Sequence, residues 1–185
     1  EFSGKEEGQE TEDEISRRWK ASEAAGMLRP TMIADIARNC VSCHVVPHED
    51  LVNVGGHPAG SDFELVSWSQ GNIRHNNFYT KGSENKIASV ERQRLLYVVG
   101  ILAEMELVLK TVGTAKEVGN YAKANARRVG ALRQKLAAAT AATKHPELLK
   151  ALNAVGKLKM SLKNQEAIIE AAGVITLSLD MIAAT

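Results

Sequence analysis

The rhythm of apolar and polar positions changes twice along this chain. Near the start, charged residues dominate. Thr11 and Glu14 stand at capping-box spacing and predict a helix that runs through Ile15, Trp19 and Ser22 to about Gly26. Pro30 suits the first turn of a second helix, whose apolar stripe of Met32, Ile33 and Ile36 leads into Cys40. Between Val45 and Ser83 the periodicity is lost. Pro47, Gly55, Gly56, Pro58, Gly60, Gly71 and Gly82 break the chain, and only Asp62 to Gln70 reads as briefly helical. From Asn85 onward Ile87, Val90, Leu95, Leu102, Met105 and Leu109 recur at helical spacing, with Lys, Arg and Glu between them. This pattern reaches Thr143 with interruptions at Gly113, Gly119 and Gly130. Another helix is predicted to start at Pro146, and "NQEAIIEAAGVITLSLDMIAA" reads as the last. About three long helices in succession predict an antiparallel bundle. The expected fold class is mainly α: a flexible stretch over 1–14, a segment of short helices and loop over 15–84, and a C-terminal helical bundle over 85–185.

Composition agrees with that pattern and narrows the function. With 185 residues, 44% of them hydrophobic and 4% aromatic, the chain suits a helical domain better than a β-sandwich. Its 23 basic and 22 acidic residues nearly cancel, so no global field points to nucleic acid or to an anionic membrane. No apolar run approaches the roughly 20 residues of a membrane span. The first residues are charged and do not read as a secretory leader.

The irregular stretch carries the chemistry. It follows directly on "NCVSCH", which holds both cysteines of the chain, Cys40 and Cys43, with His44 adjacent. A disulfide between them would close a tiny loop and stabilise little. Zinc would need about four ligands, and His48, His57 and His75 are available, but no second pair shows finger-like spacing. A thioredoxin-like dithiol would need a βαβ context that the pattern lacks. Covalent haem uses every residue of the motif: Cys40 and Cys43 add to the two vinyl groups, and His44 is the proximal axial ligand. One haem c is therefore expected.

The sixth position of the iron has several candidates. Met27, Met32, Met105, Met160 and Met181 fit core packing better than ligation. His145 precedes Pro146 at a helix start, and His48 lies too close to His44 in sequence. His57, in "VGGHPAGS", is the first choice, because Gly55 and Gly56 let the backbone approach a ligand closely. His75, beside Arg74 in "GNIRHNNF", is the second. The expected metal ligands are thus His44 and His57.

The stretch "NCVSCHVVPHEDLVNVGGHPAGSDFELVSW" resembles multihaem c-type cytochromes of the cytochrome c-554 type. The resemblance covers about Ile15 to Phe78. In that family a Cys-x-x-Cys-His is followed by a Gly-His-Pro whose histidine is a distal haem ligand, which implies that role for His57. Trp19, Ser22 and Ala25 match a Trp-x-x-Ser-x-His-Ala segment of the family, with Ala24 where the family has histidine. This chain has a single attachment motif, so the resemblance implies a single-haem relative.

Electron transfer is the expected function, through a low-spin, bis-His haem, and not enzymatic catalysis. Arg74 and Lys81 are then candidate rim charges for a redox partner protein, and the apolar last helices allow a homo-oligomer. A gas-binding or sensor cytochrome with an open sixth position is the alternative; a peroxidase using His75 and Arg74 is less favoured. Haem c is attached outside the cytoplasm, so a periplasmic or otherwise extracytoplasmic location is expected.

Overall fold

The computed structural model describes residues 8–71 and 86–185, and every regular element among them is a helix. Helix α1 spans Glu12–Ala24. Thr11 caps it through a reciprocal box: the Glu14 N–H donates to Thr11 Oγ1 at 3.4 Å, and the Thr11 N–H donates to the Glu14 carboxylate at 2.9 Å. The helix buries no residue, and its Trp19 lies under the Arg29 guanidinium, 4.5 Å from the ring centroid. Helix α2 spans Ile33–His44 and begins later than Pro30 suggested. The Met32 N–H donates to the Arg29 carbonyl at 2.8 Å, so Pro30 occupies the second position of a tight turn before the helix.

The stretch after α2 holds two short helices, α3 over Glu49–Asn53 and α4 over Leu65–Gln70. Only the second was expected. Helix α3 depends on contacts distant in sequence. The Glu49 carboxylate accepts from the Lys116 N–H at 2.9 Å and the Glu117 N–H at 3.3 Å, and Asn53 Oδ1 accepts from the Tyr121 N–H at 2.9 Å. Helix α4 is capped by its preceding residue, Glu64, whose carboxylate accepts from the Val66 and Ser67 N–H groups at 2.9 and 2.8 Å.

The bundle is built from α5 (Val90–Thr114), α6 (Asn120–Thr143), α7 (Pro146–Gly156) and α8 (Gln165–Ala183). A 3₁₀ turn over Leu162–Asn164 leads into α8. Helix α5 is the axis of the molecule and packs against α2, α4, α6 and α8. The expected breaks behave differently from one another. Gly119 is the N-cap of α6, whereas Gly113 and Gly130 lie inside helices. At Gly113 an added Cβ would sit 2.6 Å from Ile169 Cδ1, so the glycine lets α8 approach α5 closely.

One apolar core joins the two parts of the chain. Ile33, Ala37 and Val41 of α2, with Val45 after it and Leu65 of α4, belong to the same buried cluster as Leu102, Met105 and Leu109 of α5 and Ile175 and Leu179 of α8. A smaller cluster of Val46, Val52, Ala115, Tyr121 and Ala122 closes the end beside α3. Ion pairs add to the contact between α2 and the bundle. Glu106 of α5, buried, accepts from Arg38 Nε at 2.9 Å and also pairs with Lys110. Arg38 reaches Asp180 of α8 at 2.7 Å as well. Burial alone would raise the Glu106 carboxyl, but these two cations outweigh it and hold the group below the ordinary carboxylate value.

Candidate functional site

Cys40, Cys43 and His44 lie three and four residues apart on α2, so they share one helical face. That face adjoins the one that Ile33, Ala37 and Val41 bury against the bundle. All three side chains open into a single cleft of about 370 Å³, whose remaining lining comes from Ile36, Asn39, Phe63, Leu65, Trp68 and Ser69. The volume lies within the range of small-molecule and cofactor sites. Both cysteines are free thiols, Cys40 half-buried and Cys43 exposed. Burial pushes the Cys40 thiol above its ordinary value, with a smaller contribution from Cys43 beside it.

His44 is held on several sides. Its ring stacks on Phe63 with centroids 4.3 Å apart and planes 20° apart, and Trp68 lies at 5.5 Å, tilted. The imidazole Nδ1 is 2.9 Å from Ser61 Oγ. With that hydrogen bond made at Nδ1, Nε2 is the nitrogen available to a metal. A second cleft of about 450 Å³ shares the Phe63–Trp68 wall and is lined by mixed charges, including Asp62, Glu64, Glu104, Arg128 and Lys135.

The other predicted site residues among those described lie elsewhere. His57 is exposed and does not line the cleft; its Nδ1 is 2.8 Å from the carbonyl of Pro58. Gly55 and Gly56 follow the end of α3. A Cβ on Gly55 would stand 2.7 Å from the Leu51 carbonyl, and Gly56 has φ +71°. His48 precedes α3 as its N-cap residue, and His145 caps α7 by accepting from the Glu147 N–H at 3.2 Å. Met105 is buried in the bundle core, Met32 Sδ accepts from the Arg29 N–H at 3.2 Å, and Met160 packs against the core. Met27 and Met181 are exposed. His75, Arg74 and Lys81 lie outside the described residues. Among the described residues no group of three or more His, Cys, Asp or Glu converges as a metal site, and no helix is long and apolar enough to cross a membrane.

Two features went unread in the sequence. Ser61 stands in an ordinary-looking "PAGSD", and its role depends on the turn at Gly60. Glu104 and Glu106 interrupt the apolar run "ILAEMELVL", and that interruption is the signal that could have marked them as buried and paired. Comparison with protein-family models, curated proteins and solved structures found no match to this chain.

Proposed function

We propose that the chain is a monohaem c-type cytochrome that carries electrons. The observation behind this reading is that the whole Cys-x-x-Cys-His motif faces one cleft, with His44 engaged through Nδ1 and flanked by Phe63 and Trp68. The residues fit the group. Thioethers at Cys40 and Cys43 would hold the porphyrin edge, and His44 Nε2 would ligate the iron. Such a site needs no convergence of thiolates on a metal. A reactive dithiol is favoured at a helix N-terminus, whereas both cysteines lie toward the C-terminal end of α2. When bound, the haem supplies reversible one-electron chemistry. The chain's own residues then set the ligand geometry, exclude water along the Phe63–Leu65 side and present Trp68, half exposed, at the rim. Redox partner proteins and an extracytoplasmic location belong to this proposal.

The placement of His57 favours a second reading. Among the described residues no histidine or methionine other than His44 lines the cleft. A sixth position left open would make the protein a gas-binding or sensor cytochrome, whereas His57 or His75 as sixth ligand makes it a carrier. Expression with a haem-attachment system tests both. The electron-carrier reading expects covalent haem that survives denaturation, is lost in the Cys40→Ala, Cys43→Ala double variant, and gives a reduced spectrum unchanged by carbon monoxide. A spectrum altered by the gas selects the sensor reading. A chain that acquires no covalent haem sinks both. Substitution of His57 and His75 in turn identifies the sixth ligand.

A further inference from the structure

The segment that presents Ser61 to His44 is built from the bundle side. Ser61 meets His44 twice: its Oγ is 2.9 Å from the imidazole Nδ1, and its N–H donates to the His44 carbonyl at 3.0 Å. The Ser61 carbonyl accepts from Arg128 Nη2 at 2.7 Å, and Arg128 Nη1 donates to Glu104 at 2.7 Å. Arg128 is on α6 and Glu104 on α5, so two bundle helices hold the loop that touches the motif. Gly60 makes the approach feasible. It has φ +102°, and an added Cβ would stand 2.6 Å from the His44 carbonyl oxygen and 2.7 Å from Arg128 Nη2.

We propose that Ser61 and Arg128 are positioning residues for His44, through which the bundle sets the imidazole's orientation and donor strength and hence the reduction potential of the haem. The inference rests on the proposed haem site. Coordination through Nε2 requires the proton on Nδ1, so the Ser61 hydroxyl acts as acceptor. A hydroxyl is a weaker acceptor than a carboxylate. The hydrogen bond therefore makes the imidazole a moderately stronger donor and leaves room for change in both directions. Stronger acceptance at Nδ1 favours ferric iron and lowers the potential; loss of acceptance raises it.

The test is an optical redox titration of the haem-loaded full chain. Ser61→Ala is expected to raise the reduced-to-oxidised ratio at fixed poise about tenfold, which is about 59 mV for one electron. Ser61→Asp is expected to move it the opposite way, and Ser61→Thr to restore the parent value. Should the alanine variant fail to accumulate, the aspartate and threonine variants carry the comparison. Arg128→Gln removes a cation in any background, so only the difference between backgrounds is read. It is expected to change the potential less in Ser61→Ala than in the parent. Shifts of the same sign in the alanine and aspartate variants, or no shift in a haem-loaded protein, would overturn the positioning role while leaving the haem site standing. The same holds for an Arg128 effect equal in both backgrounds. A chain without covalent haem overturns both.

Discussion

Two residues past His44 the backbone does something unusual for its side chain. Val46 has φ 55°, in the left-handed region, where a β-branched residue is strained. Helices commonly leave through such a residue, and it is usually glycine. The valine is retained in a place where its side chain is buried with Val52, Tyr121 and Ala122. The opposing terms cancel the usual order of substitution. Val46→Ala keeps the strain and loses burial, at a cost of about 1–2 kcal/mol. Val46→Gly removes one further carbon and makes the unfolded chain more flexible, at about 0.4–1 kcal/mol. It also relieves about 1–2 kcal/mol of left-handed strain, so it should be no more destabilising than the alanine variant. Urea unfolding of the two variants checks the order; glycine below alanine in stability would refute the strain. None of this was legible in "HVVPHE". That Cys40, Cys43 and His44 share one face was legible, because residues three and four apart on a helix point the same way. A left-handed valine and the Ser61 contact arise from tertiary packing that no local pattern announces.

At the scale of elements, the junction of α2 with α5 and α8 decides how firmly the motif is mounted. Arg38 bridges Glu106 and Asp180 from one side, and Lys110 reaches Glu106 from another. Arg38→Ala leaves a buried acceptor with one partner fewer, and an expected loss of about 1–3 kcal/mol at neutral pH follows. The Glu106 carboxyl is held below its ordinary value when folded, so its contribution is complete above the unfolded value and is lost as pH falls through the folded one. The gap between parent and variant should therefore narrow in acid below the usual carboxylate range. Denaturant titrations at neutral and acid pH measure it, and a gap that widens in acid contradicts the assignment. Elements with strong local signals were readable in sequence. The Thr11–Glu14 box started α1, and Pro146 opened α7 in its first turn. Helix α3 was missed because five residues carry no period and its Glu49 and Asn53 act on the α5–α6 connection and the first turn of α6, more than sixty positions away. Pro30 was misread because the same residue serves a tight turn as well as a helix start.

For the whole molecule, the shared core removes any independence between the motif-bearing segment and the bundle. Leu102, fully buried on α5, belongs to the cluster that also holds Ile33, Val41 and Leu65. Leu102→Ala should cost about 2–5 kcal/mol. Far-ultraviolet dichroism and a probe at the cleft should lose their native signals together, in parent and variant alike. A cleft that melts well before the helices would show two cooperative units where the packing describes one. The mainly helical class and the bundle were legible in the apolar rhythm, while the sharing of one core was not, because periodicity shows which face is buried and not against what. The same architecture has an optical consequence. The chain has two tryptophans. Trp19 stands on α1, a helix that buries no residue, under the Arg29 guanidinium, and Trp68 forms part of the cleft wall beside His44. The protein thus carries two intrinsic fluorophores in separate settings, one in the cleft wall and one outside its lining. With Trp19 replaced by Phe, the remaining emission becomes a label-free monitor of whatever enters beside Cys40 and Cys43.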